Sequence, residues 1–191
     1  TLALFMFINL LITGVIVGMP YVQVKVLHFS DYYYGLTEAA LSLGFILVGI
    51  YLSARKAIRY PLLLAWKSIL TIGGLVALMG AVLWLPLSTD AFFAFFLLIS
   101  LIFGGISTAV NIPMMTWVTQ IVPTHYQGRI FNIVSTASQL LSPLGMVIFS
   151  LGFDYLPASL LFLLCGVIMI GVTAYWPRFY KVNILSNQLE D

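Results

Sequence analysis

Six long apolar stretches follow one another along this chain of 191 residues, and this feature restricts the possible folds more than any other. A helix needs about 20 mainly apolar residues to cross a lipid bilayer. The predicted spans cover residues 2–27, 34–53, 61–85, 91–122, 129–153 and 157–177. Transmembrane β-strands would instead be about ten residues long, with apolar and polar side chains in alternation. The sequence therefore predicts an all-α, polytopic membrane protein with six transmembrane helices.

Charged residues are too few for a soluble domain of this length. They make up 7% of the chain, against 62% hydrophobic residues, whereas soluble domains carry about 25% charged residues. The net charge of +2 gives no reason to expect nucleic acid as a partner. The lone Cys165 can form neither an internal disulfide nor a metal cluster. The expected partner of most of this surface is the lipid bilayer.

The signatures of membrane enzymes are missing from the sequence. It contains no HExxH, no GxSxG, no P-loop and no EF-hand loop. The two histidines, His28 and His125, are predicted to lie on opposite sides of the membrane, so they cannot share a site. We therefore predict that the chain is not an enzyme and that it binds no cofactor and no metal.

Basic residues collect on one side of the predicted spans. That side comprises both termini and the breaks after the second and fourth spans, and it holds Arg55, Lys56, Arg59, Lys67, Arg129, Arg178 and Lys181. The opposite side holds only Lys25. Because cytoplasmic loops are enriched in Lys and Arg, we expect both termini in the cytoplasm. The spans then form one transmembrane domain, residues 1–181, followed by a cytoplasmic tail, residues 182–191.

One acidic residue, Glu38, lies within a predicted span, near the end of the second span that faces away from the cytoplasm. Lys25 lies at a similar depth in the first span. Ionisable groups in membrane helices are costly and are often functional, which predicts a proton or cation site at Glu38 that Lys25 modulates. Two other interpretations stay open: Glu38 forms a structural ion pair, or its carboxylate is hydrated by water at the membrane surface that faces away from the cytoplasm.

Polar side chains form stripes on three predicted spans. They recur at spacings of three and four residues, which places them on one face of each helix. The stripes contain Asn9 and Thr13 in the first span, Gly104, Ser107, Thr108 and Asn111 in the fourth, and Asn132, Ser135, Thr136, Gln139 and Ser142 in the fifth. We expect these stripes to line a substrate pathway, since polar groups within a membrane are favoured where they face a water-filled cavity. Hydrogen bonding between helices is the alternative.

The third and sixth spans lack such a stripe, and we expect Leu75 and Ile168 to face lipid. Gly14 and Gly18 form a GxxxG pattern in the first span, and further glycines, Gly73, Gly74 and Gly80, lie along the third. Small residues at these spacings predict close helix packing.

The segment QIVPTHYQGR, residues 120–129, carries a family resemblance. A Gln shortly before a Pro, then a Gly-Arg pair at the start of a helix, resembles the loop between helices ten and eleven of major facilitator superfamily transporters. The matching residues are Gln120, Pro123, Gly128 and Arg129. Gly49 followed by Arg55, Lys56 and Arg59 is similar to a degenerate copy of the superfamily's basic loop motif, with Ser53 near the position of its acidic residue. The likeness is closest to macrolide-efflux-type drug exporters.

This resemblance implies an architecture and a function. The six spans would be helices seven to twelve of a twelve-helix transporter, arranged as a 3+3 inverted repeat, and the partner would be the missing N-terminal half. The chain begins at Thr1 inside an apolar run, which also indicates a piece of a longer protein. The implied function is proton-coupled efflux of amphipathic or hydrophobic small molecules in a bacterial cell membrane. An uptake carrier for a small metabolite and a structural or assembly protein that transports nothing are the alternatives.

Overall fold

The computed structural model describes the backbone of residues 2–54 and 61–180, and every regular element in these ranges is helical. The α-helices are α1 (Leu2–Tyr21), α2 (Asp31–Ser53), α3 (Pro61–Val82), α4 (Thr89–Ile121), α5 (Thr124–Tyr155) and α6 (Ala158–Tyr180). A π-helical segment, Val22–Val26, continues α1. The prediction of an all-α fold is confirmed.

Five of these helices are long and apolar enough to cross a membrane, counting described residues only. The corresponding stretches are Phe7–Val26, Asp31–Ser53, Leu63–Val82, Thr89–Pro113 and Ala158–Tyr175. Helix α5, which carries the longest predicted polar stripe, has no such stretch within its described residues, and side chains in its middle lie outside them.

Helix starts differ from the predicted span boundaries where local capping decides them. The side chain of Ser30 accepts a hydrogen bond from the backbone of Tyr33, and Asp31 stands in the first turn, so α2 begins at Asp31 and not at residue 34. Helix α5 begins directly after Pro123, at Thr124, and not at residue 129. Only Val122 and Pro123 therefore separate α4 from α5.

The first predicted span is not one continuous α-helix. After Tyr21 the backbone widens into the π segment, where the amide of Leu27 donates to the carbonyl of Val22 at 2.8 Å. Pro20 lies just upstream and has no N–H to donate to the preceding turn, which disturbs the regular ladder. His28 follows with a φ of 51°, a left-handed conformation that side-chain-bearing residues rarely adopt.

Most helices pack on partners that are distant in sequence. Helix α2 packs on α4, α1 on α5, and α3 on both α6 and α4, with a smaller contact between α1 and α6. The core lies among α1, α3, α4 and α6, and its most buried large side chains are Val15, Ile72, Val76, Met79, Phe96, Phe162 and Met169. Helix α2 is the least buried of the five candidate membrane spans.

Glycines set the closest helix contacts. A Cβ atom on Gly73 would lie 2.9 Å from Ile170 of α6, and one on Gly80 would lie 2.5 Å from the backbone of Leu163. Helix α1 packs instead against aromatic rings of α5. A Cβ atom on Gly14 would lie 2.7 Å from the ring of Phe149. Close packing at these glycines is confirmed, whereas a Cβ atom on Gly74 would have no neighbouring atom within 4 Å.

Candidate functional site

Glu38 and Lys25 lie near the end of the bundle where α1 ends and α2 begins, here called the α1–α2 end. Glu38 is half-buried, and Lys25 is exposed. The structure places the ammonium of Lys25 over the ring of Tyr21, at 5.1 Å from the ring centroid. No salt bridge joins Lys25 to Glu38, although both side chains are described. The two ionisable groups thus lie near the same end of the bundle and form no ion pair.

A buried polar contact lies beside Glu38 that the sequence interpretation missed. Gln23 of the π segment is 0% exposed and Thr37 of α2 is 1% exposed. The hydroxyl oxygen of Thr37 lies 2.5 Å from Gln23 Oε1 and 2.8 Å from the carbonyl oxygen of Tyr34. Because one hydroxyl proton cannot serve two acceptors, the consistent assignment exchanges the two ends of the Gln23 amide. Gln23 Nε2 then donates to Thr37, and Thr37 donates to Tyr34.

One end of the Gln23 amide has no protein partner in either assignment. Gln23 Nε2 is buried and makes no hydrogen bond as placed, and exchanging the ends leaves Oε1 in that position. A polar group buried without a partner destabilises its surroundings, typically by about 1–3 kcal/mol. The contact between Gln23 and Thr37 is therefore only partly satisfied.

An aromatic cluster ties the α1–α2 end to helix α4. Phe29 is 6% exposed, and its ring makes edge contacts with Tyr33, Phe93 and Phe96 at centroid distances of 6.0–6.2 Å. Tyr33 also stacks on Phe93 at 4.1 Å and donates its hydroxyl to Asp90 Oδ1 at 3.2 Å. The chain between α1 and α2 is consequently anchored on the first turns of α4.

The polar stripes of α1 and α4 are partly occupied by contacts within the bundle. Thr13 is buried and donates to the carbonyl of Asn9 at 2.9 Å, one turn earlier. Thr108 lies in the contact between α2 and α4, where its hydroxyl is 3.2 Å from the Gly104 carbonyl and 3.4 Å from that of Phe45.

Other members of the predicted stripes reach the surface of this chain. Asn111 is exposed, and its amide donates to the carbonyl of Ser107 at 2.9 Å. In α5, Asn132 and Thr136 are exposed and Ser142 is half-buried. The side chains of Ser135 and Gln139 lie outside the described residues. Asn9 of α1 is exposed as well, so Asn9, Asn111, Asn132 and Thr136 are the polar stripe members whose exposure is compatible with a pathway.

The connection between α4 and α5 depends on Gln127, a residue whose role the sequence interpretation missed. Its Nε2 donates to the carbonyl of Thr119 at 2.8 Å and to that of Val122 at 2.9 Å. Thr119 lies in the last turn of α4 and Val122 follows the helix directly, so no further backbone amide of α4 is available to these carbonyls. Gln127 therefore caps α4 from α5 and fixes the tight corner between the helices.

The remaining predicted loop residues have few described contacts. Pro123, Gly128 and Arg129 are exposed, and Gly49 of α2 lies close to Thr108. Arg55, Lys56 and Arg59 fall outside the described residues, as does the side chain of Gln120.

Comparison with known proteins identifies the family. The family model described as Major Facilitator Superfamily matches residues 1–146, about three quarters of the chain. The chain belongs to this superfamily. The resemblance seen in the sequence is thereby confirmed at the level of the superfamily, and the chain is an integral membrane protein of a transporter family. The narrower likeness to macrolide-efflux-type exporters is not part of this match.

A curated relative has a similar description. The chain is 38% identical over 82 residues to a protein named "Uncharacterized MFS-type transporter YfiS" from Bacillus subtilis (strain 168). The match covers 42% of this chain and 18% of that relative's length. A search of solved structures finds no significant match.

Proposed function

We propose that this chain is the C-terminal half, helices seven to twelve, of a twelve-helix secondary active transporter. The whole protein would export amphipathic or hydrophobic small molecules in exchange for protons by alternating access. The observation that carries the proposal is the superfamily match, which extends over residues 1–146 and so includes α1 to α4 and most of α5.

The packing pattern supports an arrangement as two related groups of three helices. If α1, α2 and α3 correspond to α4, α5 and α6, the contact between α1 and α5 corresponds to that between α4 and α2. The contact of α3 with α4 then corresponds to that of α6 with α1, and the pair of α3 and α6 corresponds to itself. This is the pattern expected of a 3+3 inverted repeat, in which a substrate site lies near the middle of the membrane.

The missing N-terminal half is the proposed partner of the poorly covered helices. Helix α2 packs chiefly along α4, and large apolar side chains on its other faces are exposed, among them Phe45, Ile46 and Ile50. Helix α5 likewise leaves Val147, Ile148 and other apolar side chains exposed beside its polar stripe. A second half would cover part of these surfaces, and lipid would cover the rest.

The proposed pathway and the proposed coupling site would lie at different depths in the membrane. Asn9, Asn111, Asn132, Thr136 and Gln139 would line the pathway, with Thr13 and Thr108 supporting its walls through their bonds to helix carbonyls. Glu38, half-buried near the α1–α2 end, would take up and release the coupled proton, with Lys25 close to it. Orientation would follow the distribution of Lys and Arg, with both termini of this chain in the cytoplasm of a bacterial cell.

Reconstitution of the full-length protein in proteoliposomes would test this function. We expect a lipophilic fluorescent dye to move against its gradient when a pH gradient is imposed, and a protonophore to abolish the movement. Gradient-driven movement of a small polar metabolite instead would favour the uptake carrier. Absence of flux with every gradient, together with no substrate-dependent change in side-chain accessibility, would favour the structural protein.

The 191-residue chain alone provides the matched control. It holds one wall of the proposed pathway, and polar groups on that wall would face lipid without a second half. We expect no coupled flux from it. Saturable, gradient-driven transport by this chain alone would contradict the assignment as a half-transporter.

A further inference from the structure

Three unfavourable local features lie within seven consecutive residues at the end of α1. The backbone of Val22–Val26 is π-helical, the buried amide of Gln23 has one end without a protein partner, and His28 is left-handed at φ 51°. Each costs free energy and persists only when the surroundings hold it in place. Such features cluster at segments that switch between conformations.

Few contacts hold this segment against α2. Neither α1 nor the π segment packs extensively on α2 in the described residues, yet Gln23 reaches across to Thr37, and both side chains are buried. The hydrogen bond is therefore a point contact without a packed helix interface behind it. Downstream, Phe29 is anchored among Tyr33, Phe93 and Phe96, so the segment is fixed at its far end.

We propose that Val22–His28 is a two-state hinge and that the hydrogen bond between Gln23 and Thr37 is the latch that holds it in the conformation seen here. Release of the latch lets the π segment rewind as α-helix and exposes Gln23 to water, where both ends of its amide find partners. Rewinding by one residue rotates the side chains that follow by about 100°. Phe29 keeps the chain attached to α4 while the hinge moves.

The hinge gives this end of the bundle a movement that the α4–α5 corner lacks. That corner is short and is capped by Gln127, whereas the α1–α2 connection is longer and begins in an irregular helix. The inference concerns the conformation of the chain and does not depend on the proposed substrate or proton coupling.

Cysteine labelling of the purified full-length protein in detergent tests the latch without any substrate or gradient. Cys165 is first replaced by Ala, and Val22→Cys, at a position that is 0% exposed, serves as the reporter for a hydrophilic maleimide. Thr37→Val removes the partner of Gln23 and leaves the whole amide unpaired in the latched state. We expect the labelling rate at position 22 to rise about tenfold or more.

Two further substitutions show whether the hydrogen bond is the cause. Thr37→Ser keeps the hydroxyl and is expected to keep the slow rate of the parent. Gln23→Leu combined with Thr37→Val removes both polar groups and is expected to return the rate to within about threefold of the parent, because no unpaired group is left. Gln23→Asn, which is too short to reach Thr37, offers a second way to open the latch if Thr37→Val does not fold.

A reporter and a substitution outside the hinge complete the test. Val76→Cys in α3 is equally buried and should stay unlabelled in every variant. Thr71→Val removes an exposed hydroxyl that donates within α3, and it should leave the labelling rate at position 22 unchanged. The proposal is overturned if Thr37→Val and Gln23→Asn leave the rate at position 22 unchanged. It is also overturned if Val76→Cys is labelled in parallel, since the whole bundle would then have loosened.

Discussion

Gly44 of α2 and Gly104 of α4 lie in the same close helix crossing, each against a carbonyl of the other helix. A Cβ atom on Gly44 would overlap the carbonyl oxygen of Leu101, and one on Gly104 would overlap that of Leu41. The two backbones therefore touch, as small residues allow where membrane helices pack. Since α2 packs chiefly on α4, this crossing holds α2 in the bundle.

Gly44→Ala should consequently destabilise the protein. The added methyl meets backbone atoms, which cannot move aside as a flexible side chain can, so the helices must separate. Overpacking of this kind costs about 1–3 kcal/mol or more. Thermal unfolding of the full-length variant in detergent, monitored by size-exclusion chromatography, would show a lower Tm than that of the parent protein.

Gly74→Ala is the matched control for that substitution. Gly74 lies in the middle of α3, and a Cβ atom there would meet no other atom within 4 Å. Ala is the better helix former by about 1 kcal/mol, so the Tm should stay the same or rise. An equal loss of stability in both variants would contradict the crossing as the cause.

Gln127 provides a prediction about pH. Gln127→Ala removes a donor to two carbonyls at the end of α4, and we expect a loss of about 1–2 kcal/mol. Gln127→Glu should lose more at neutral pH, because a carboxylate only accepts hydrogen bonds and would face carbonyl oxygens at the negative end of a helix. On protonation the same side chain can donate, so the stability of this variant relative to Gln127→Ala should rise as pH falls.

Unfolding of the two variants measured across a range of pH would check this sign. The parent protein, which has no titrating group at position 127, corrects for the pH dependence of the rest of the molecule. A Glu variant that becomes relatively less stable in acid would contradict the capping role of Gln127.

Glu38→Gln should impair proton-coupled transport by the full-length protein while leaving its expression and its Tm intact. The carboxyl group is half-buried and forms no salt bridge with Lys25, so its removal leaves no buried partner charge behind. Asp31→Asn, which changes an exposed carboxyl at the start of the same helix, is the control. Unchanged transport with unchanged pH dependence would instead favour a carboxylate that is merely wetted from outside.

Cysteine accessibility would map the proposed pathway. Asn111→Cys and Thr136→Cys, at exposed positions, should react with small hydrophilic reagents in the full-length protein, and substrate should slow the reaction. Thr13→Cys is buried inside the bundle and should react slowly. Leu75→Cys, half-buried against the core, and Ile168→Cys, exposed on α6 where we expect lipid, should not react. Equal reactivity at all of these positions would refute the assignment of the pathway.

The helical architecture could be predicted because apolar length alone decides whether a segment can cross a bilayer. Helix starts were predicted less accurately, since capping by Ser30 and the position of Pro123 act over only a few residues. The irregular end of α1 could have been anticipated from Pro20, which lies inside the predicted span without a donor for the preceding turn.

The surroundings of individual polar residues could not be deduced from their spacing. Thr108 and Asn111 belong to one predicted stripe, yet Thr108 lies in the contact with α2 and Asn111 is exposed. The side of α4 that packs on α2 is determined by the contact at Gly44 and Gly104, and this contact is a property of the folded bundle. Gln23 could not be singled out either, because an uncharged side chain in an apolar run carries no signal until its burial is known.

The pairing of distant helices also determines when the bundle can assemble during synthesis. Helix α1 leaves the ribosome long before α5, its main partner, and α2 and α3 precede α4 and α6 in the same way. Only α3 and α4, among the described helices, are both sequence neighbours and extensive partners. The first three helices must therefore remain in the membrane with their glycine-lined faces uncovered until their partners, α4, α5 and α6, have been made. A nascent chain interrupted after α3 would have none of its three helices packed against its main partner, and the surface left uncovered in such an intermediate favours aggregation.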